Sequence, residues 1–475
     1  MKNNRQKNKS IEINSTLIDL FFCYINLTTM MSYKFFPHTE DDIQAMLRLL
    51  GISSIEELYK DVPKELRLHK ALDLPSSKSE LEVRGIFKNL EKKNKTLKCF
   101  AGVGAYDHYT PSIITYIANR SEFQTSYTPY QAEISQGTLQ YIFEYQTMMA
   151  DLTGMDISNA SMYDGATATA EAMMMSVASS KKRKKVLVSS TLLPQTIEVL
   201  HTYAKFHHID LILVKSVEGT TSVDEINLYL QNDDIAGVIV PLVNYYGIIE
   251  DLSSLSDVCH KHKALLIINS PASPLGVLKS PGELGADIAC GEAQSLGIPL
   301  SYGGPYIGYL CTNDSLVRKM PGRLVGGTVD SDGNRAFVLT MQAREQHIRR
   351  EKATSNICTS QGLMCLYVAM YLSLMGTDGL REVNQMSFQG AHYLYDELLK
   401  THKFEPVFNK PFFNEFCLQL TSGTAQDLID YCAEFGFLAG CTVKDHTNCI
   451  LFCVTEKNSK ENIDDLVKVI KSFNA

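Results

Sequence analysis

Between Met162 and about Leu310, four short apolar runs alternate with helix-patterned segments: VLVSS at 186, LILV at 211, GVIVPLV at 237 and ALLII at 264. Such runs lack the in-out alternation of a half-exposed strand, so both faces of each must be covered. Strands separated by single helices, with right-handed crossovers, specify a mostly parallel sheet between two helical layers. The expected fold class is therefore α/β, with residues 101–335 as the large domain. After a polar stretch at 328–335 and the charged run REQHIRREK, long helical patterns at 361–400 lead into FCLQL, a helix at 424–435, the strand CILFCV and a closing helix. Residues 336–475 read as a linker and a smaller α+β domain. Toward the N-terminus, Thr39 with Asp42 resembles a capping box ahead of Ile43, Met46, Leu47 and Leu50, and Gly51 stops that helix. Ser53 with Glu56 repeats the device, after which Pro63, Pro75 and a Ser/Lys-rich stretch carry the chain onward, so 33–100 reads as a helical arm.

The chain has 475 residues, 45% hydrophobic and 21% charged, enough for a large core and unlike a disordered or fibrous chain. A formal net charge of -8 with interspersed signs leaves no field to gather phosphate backbones, so nucleic acid is not an expected partner. The basic run Lys181 to Lys185 reads as a solvated turn between helix and strand. Twelve cysteines lie scattered without a CxxC pair, those around Cys290 and Cys365 in core-like segments, and the expected compartment is the reducing cytoplasm. Cys441, His446, Cys449 and Cys453 match no finger or ribbon spacing and CILFCV reads as a strand, so core packing is expected there and no metal. Residues 1–32 stand apart: MKNNRQKNKS is basic, and LIDLFFCYINL is interrupted by Asp19 and Asn26 without a small-residue cleavage site. An extension or disordered tail ahead of the patterned sequence is expected there rather than a signal peptide. No later segment offers roughly eighteen uninterrupted apolar residues, so no membrane span is expected.

A parallel α/β domain followed by a small C-terminal domain is the plan of aspartate-aminotransferase-like, fold type I pyridoxal phosphate enzymes. Such a site needs an anion-binding helix start for the phosphate, an acid for the pyridine nitrogen and a lysine for the Schiff base. YDGATATAEAMMM places Gly165 and Thr167 at a helix start whose free N–H groups could hold an anion, or whose small residues only permit close packing. The acid is missing: after ALLII the chain offers Asn269 and Ser270 and no carboxylate until Glu283. The lysine is missing too, since none lies between Lys279 and Lys319, and Lys279 reads as a surface turn residue.

The segments PHTEDDI, GAYDHYTP, SEFQTSYTPYQAEISQGTLQ, FEYQTMMADLTGMDISNASMYDGAT, GEAQSLGIPLSYGGPY, MPGRLVGGTVD and LTMQAREQHIRREKATSNICT run in order from Pro37 to Thr359. Together they resemble the alpha subunit (subunit 1) of split glycine dehydrogenases (decarboxylating), the P-protein of the glycine cleavage system. The resemblance implies that the beta subunit carries the lysine and the pyridoxal phosphate, with no cofactor held covalently on this chain. It implies that the pair decarboxylates glycine and passes the aminomethyl group to the lipoyl arm of the H-protein, an oxidoreduction because that arm's disulfide is reduced. This chain alone is expected to be inactive and to have no catalytic residue of its own. Matching the following Ile-Pro places Gln294 opposite the lysine of the related beta chains.

Two loops are the candidates for the shared interface and the surroundings of the substrate. AGVGAYDHYTP holds Tyr106, Asp107, His108 and Tyr109 beside two glycines and lacks the third glycine of a dinucleotide fingerprint. SYTPYQAEISQG concentrates Tyr127, Thr128, Tyr130, Gln131, Glu133, Ser135 and Gln136, too polar for a core, with Pro129 fixing an irregular backbone. For His108 a structural hydrogen bond and a catalytic one both stay open. The run Arg344 to Lys352 reads either as an exposed helix with intrahelical ion pairs or as an interface. Two rival functions are a free-standing pyridoxal phosphate lyase or desulfurase, against which the missing lysine stands, and a non-catalytic binding module.

Overall fold

The computed structural model describes residues 37–474 apart from positions 69, 71, 72, 181, 233, 354 and 445. The expected N-terminal extension, and Lys181 of the basic run, lie outside the described residues. The chain divides into two compact units, one ending at Lys93 and one beginning at Asn94.

In the first unit, α1 (Glu40–Leu50) starts at the expected capping box of Thr39 and Asp42, and Gly51 ends it in the left-handed conformation. Ser53, however, gives its N–H and its hydroxyl to Glu57 and not to Glu56. The stretch that follows, Ile55–Tyr59, is a tight 3-10 helix, which changes which carboxylate reaches back. The Ser/Lys-rich stretch holds a helix that the connector reading passes over, α2 (Glu80–Glu91). Its capping box, Ser79 with Glu82, was the available signal.

The second unit is built on a seven-stranded sheet of β1 (Ile157–Ser158), β2 (Lys185–Ser189), β3 (Asp210–Val214), β4 (Ile235–Pro241), β5 (Leu265–Asn269), β6 (Ile288–Glu292) and β7 (Gly308–Thr312). The spatial order is β1-β7-β6-β5-β4-β2-β3. Strands β3, β2, β4, β5 and β6 run parallel, and β7 is antiparallel to both of its neighbours. The four apolar runs are β2 to β5. Successive residues of one strand go to opposite cores: Leu187, Leu266 and Ile268 join one cluster, Val186, Val188 and Ile267 the other. On β2, β4 and β5 that two-sided burial is why the strand carries no polar alternation, whereas β3, at the sheet edge, is covered less than expected, with Leu213 41% exposed.

Helices α3 (Ser112–Ala118) and α4 (Gln136–Thr153) pack in the first cluster, and α5 (Gly165–Ser179) and α6 (Pro194–His207) in the second. The polar stretch at 328–335 is the tip of a hairpin, β8 (Leu324–Val329) with β9 (Arg335–Thr340), turned by Asp330 accepting from the N–H groups of Asp332 and Asn334. Two glutamines of α4 fix it: the Gln146 amide exchanges hydrogen bonds with Val325 and the Gln136 amide with Phe337. The run REQHIRREK is not one exposed helix but a series of short turns in which Glu345 is buried.

Helix α7 (Gly362–Leu399) is long and apolar enough to cross a membrane by length and composition. Here it links two cores: Met364, Cys365, Val368 and Tyr371 pack under the large sheet, and Ala391, Leu394 and Leu398 pack on the small one. Gly376 breaks it at φ 59° and ψ -172°. The small sheet, β10 (Phe404–Pro406), β11 (Glu415–Leu420), β12 (Cys441–Val443) and β13 (His446–Cys453), is antiparallel in the order β10-β11-β13-β12. Lys98–Cys99 pairs in parallel with Phe437–Leu438 beside it. Cys449 and Cys453 lie within β13 and are buried, while His446 at its start is exposed. Among the described residues no three His, Cys, Asp or Glu side chains converge as a metal site would require.

Candidate functional site

The ends of β5 and β6 meet the start of α5, where a pyridoxal enzyme of this fold would hold its cofactor. Asp164 caps α5, its carboxylate accepting the Thr167 N–H at 2.7 Å. At Gly165 a Cβ would lie 2.7 Å from the Glu292 nitrogen and 2.9 Å from its Cβ, so only glycine lets the helix seat on the end of β6. The Glu292 carboxylate accepts from the Gly165 N–H at 2.9 Å, from Gln294 N–H at 3.1 Å and from Ile307 N–H at 3.2 Å. Burial pushes its carboxyl up to about 7, against the pull of those donors. At the expected anion seat, the Gly165 N–H donates to Glu292 and the Thr167 N–H to Asp164, both carboxylates of this chain.

The two other cofactor positions are filled as well. Asn269, at the end of β5, donates through Nδ2 to Thr169 Oγ1 at 2.8 Å. Gln294 accepts the Tyr106 N–H at 2.9 Å and donates to the Tyr106 carbonyl at 3.0 Å and the Ile298 carbonyl at 2.7 Å. Lys279 is exposed in a loop. With a carboxylate in the phosphate seat, an amide in place of the pyridine acid and an amide in place of the lysine, these residues do not fit pyridoxal phosphate.

Of the two tyrosine loops, the first is largely a clamp. The Tyr106 hydroxyl donates to Glu415 Oε2 at 2.7 Å, and Glu415 Oε1 accepts the Val103 N–H at 2.6 Å. Burial raises the Glu415 carboxyl to about 7 while both donors pull it down. Gly102 is required by the close approach, since a Cβ there would meet Glu415 Oε1 at 2.3 Å. His108 pairs through Nδ1 with Glu456 Oε2 at 2.6 Å, and the Tyr109 N–H donates to Glu456 Oε1 at 2.6 Å. Tyr106 and His108 thus point into the unit, joining the β6 end to the small sheet, and only Tyr109 of this group is exposed. Expectation and structure differ here because the carboxylates that bury them come from beyond position 400.

The second loop is open. Tyr127 is 91% exposed, Gln131 and Glu133 are exposed, and Tyr130 is about half exposed. Gln136 is not a loop residue; it begins α4 and serves the hairpin. Thr128 Oγ1 is buried with no hydrogen-bond partner. Beneath the loop lies a cavity of about 590 Å³ lined by Tyr127, Pro129, Tyr141, Tyr163, Arg323 and Gln361, among others. Arg323 donates through Nη2 to the Tyr130 hydroxyl at 3.0 Å, with its guanidinium 4.9 Å from the centre of that ring. Sequence reasoning misses Arg323 as a site residue: MPGRLVGGTVD carries resemblance, but nothing local marks this arginine as buried.

The family model of the glycine cleavage system P-protein matches residues 33–470. The probable glycine dehydrogenase (decarboxylating) subunit 1 of Carboxydothermus hydrogenoformans is 46% identical over 444 residues, covering 92% of this chain and 99% of its own. That of Anoxybacillus flavithermus is 44% identical over 451 residues, covering 94% and 100%. Among solved structures, a glycine decarboxylase (P-protein) of the glycine cleavage system in inhibitor-bound form superposes with a TM-score of 0.84 at 42% identity, over 92% of this chain and 98% of that one. A Lactobacillus brevis glutamate decarboxylase superposes at 0.63 with 14% identity, over 88% and 99%, a likeness of fold alone.

Proposed function

The chain belongs to the P-protein family of the glycine cleavage system, on its glycine dehydrogenase (decarboxylating) subunit 1 branch, and from that premise we propose that it acts only as half of a heteromeric enzyme whose other subunit carries pyridoxal phosphate. The observation that carries this reading is the filled centre: Glu292 on the Gly165 N–H, Asn269 on Thr169 and Gln294 on Tyr106 leave this chain no means to hold the cofactor. No step of the reaction is assigned to that centre. Bound to the partner, the cofactor would supply the electron sink for glycine decarboxylation, and the aminomethyl group would pass to the lipoyl arm of the H-protein in the cytoplasm.

This chain's share is to shape the shared cleft. Tyr127, Gln131 and Glu133 are exposed, with no side-chain hydrogen bond among the described residues, and are the residues offered to the partner, with Thr128 and Tyr130 behind them. Tyr106 and His108 act one layer deeper, holding loop 101–111 so that Tyr109 projects. The alternatives of a free-standing pyridoxal lyase and a non-catalytic module are not favoured by the relatives' names.

Co-expression with a cofactor-bearing subunit followed by a glycine–bicarbonate exchange assay tests the reading. Exchange should require both chains. An absorbance band of a lysine-bound pyridoxal on the purified chain alone, trapped by borohydride, would overturn it.

A further inference from the structure

The buried charges beneath the second loop do not balance within the chain. Arg323, Arg344 and Glu345 set two guanidinium groups against one carboxylate. Arg323 Nε, Arg344 Nε, Arg344 Nη2 and Glu345 Oε1 are all buried without a hydrogen-bond partner among the described residues. Arg323 is only 4% exposed, and its Nε lies 3.9 Å from Glu345 Oε2, beyond hydrogen-bond reach. His347 Nδ1 sits 3.4 Å from that same oxygen. Arg344 spends Nη1 on the Met320 carbonyl. The hydrogen bonds that Arg323 does make go through Nη2 to the Tyr130 hydroxyl at 3.0 Å and the Cys358 sulfur at 3.8 Å, not to a carboxylate.

A guanidinium removed from water with donors unmet and its one carboxylate held beyond hydrogen-bond reach carries a desolvation penalty, and native interiors leave such a group open only where something else completes it. The completing group must reach it through the cavity that Arg323 lines. Arg323 lines the cavity as a buried guanidinium, and its planar fork of donors matches a carboxylate more closely than a phosphate dianion. A volume of about 590 Å³ between Tyr127, Tyr141 and Tyr163 admits a small acid or the end of an acidic side chain.

We propose that this cavity is a carboxylate-binding subsite, with Arg323 as its recognition residue. The carboxylate comes either from a free small acid of glycine's size or from an aspartate or glutamate side chain of the cofactor-bearing subunit. The second source rests on the proposed pairing; the first does not.

The test uses the full chain as wild type, Arg323→Met and Arg323→Lys. Each is titrated with sodium acetate at constant ionic strength while the acetate methyl relaxation is followed by NMR, and its assembly with the cofactor-bearing subunit is measured by sedimentation. Acetate binding by wild type that weakens about tenfold or more in Arg323→Met, and less in Arg323→Lys, supports the site with a free acid as its ligand. No acetate binding, together with assembly weakened about tenfold or more in Arg323→Met, supports the site with a partner carboxylate as its ligand. Equal acetate behaviour and equal assembly in all three forms overturn it. If wild type does not assemble at all, the pairing fails by itself and the acetate titration alone decides the site, absence of binding counting against it. Should Arg323→Met fail to fold, as judged by circular dichroism, Arg323→Lys and Arg323→Gln carry the same comparison.

Discussion

The filled centre at the ends of β5 and β6 and the cavity under the second tyrosine loop lie in the same unit and differ in one respect. At the first, the Glu292 carboxylate and the Gln294 amide each meet three partners, and Asn269 has a hydroxyl to donate to. At the second, the buried Arg323 keeps a guanidinium nitrogen, and the buried Glu345 beside it an oxygen, without a partner among the described residues. Hydrogen-bond satisfaction separates a site that has been closed from within from one that is completed from outside. The place where the fold alone would seat a cofactor is the closed one.

The sharpest way to break this contrast is to unplug the closed centre. Glu292→Ala leaves the Gly165, Gln294 and Ile307 N–H groups without their acceptor in a buried setting, and is expected to destabilise the chain by on the order of 4 kcal/mol. Inorganic phosphate should then raise the variant's unfolding temperature, by filling the vacated helix start, and should not raise that of wild type. Equal phosphate effects on both would mean that the seat was never closed.

A smaller effect is expected from restoring the lysine. Gln294→Lys removes an amide that makes three hydrogen bonds to Tyr106 and Ile298, which costs about 2–3 kcal/mol in a buried site. It should give no glycine decarboxylation without the partner, since Asn269 still stands where an acid is needed. Substantial glycine–bicarbonate exchange by this variant alone would contradict the closed centre directly.

Both predictions rest on residues whose identity the sequence displays and whose roles it hides. Strands β2, β4 and β5 were legible because two-sided burial writes itself as unbroken apolar runs, and β3 by its run LILV although its edge position leaves Leu213 exposed, whereas IACGE of β6 ends in Gly291 and Glu292 and shows only a core-like segment around Cys290. The absence of a lysine and of an acid was likewise legible as an absence. That Glu292 fills the phosphate seat was not, because its partner Gly165 is 127 positions away and nothing between them signals the contact. The same distance problem turned Tyr106 and His108 from surface candidates into clamps, their carboxylates Glu415 and Glu456 being 309 and 348 positions off. Tyr127, Gln131 and Glu133 stayed exposed as a polar loop suggests, since no distant residue claims them.

The clamp itself offers a third and milder test. Glu415 is held in the folded chain at about 7, above its ordinary 4.5, chiefly by burial. The native state therefore keeps this proton more tightly than the unfolded chain, so the group's stabilising contribution is complete below about pH 4.5 and is lost as pH rises through about 7. Glu415→Gln can still accept from the Val103 N–H and can turn its amide toward the Tyr106 hydroxyl. It should flatten the decline in unfolding temperature between about pH 4.5 and 7 with little change at the acid end. An unaltered slope would place the titration elsewhere, Glu292 being the next candidate.

The smallest effect on the chain itself is expected at Tyr127, and that smallness is what makes it informative. With 91% of its surface exposed and no hydrogen bond recorded for its hydroxyl within the chain, Tyr127→Ala removes no intrachain packing of consequence, so the unfolding temperature of the isolated chain should not move. An exposed aromatic at the rim of a polar cavity is the kind of side chain that becomes an anchor once a partner covers it. The same substitution should therefore lower glycine–bicarbonate exchange by the assembled enzyme about tenfold, a loss consistent with one buried aromatic contact. If exchange and assembly are both unchanged, the second loop is a surface feature and the open cavity beneath it is not part of the shared cleft. If the isolated chain loses stability instead, Tyr127 is held within the chain after all, and the distinction between a closed centre and an open one fails at the residue where it is most easily measured.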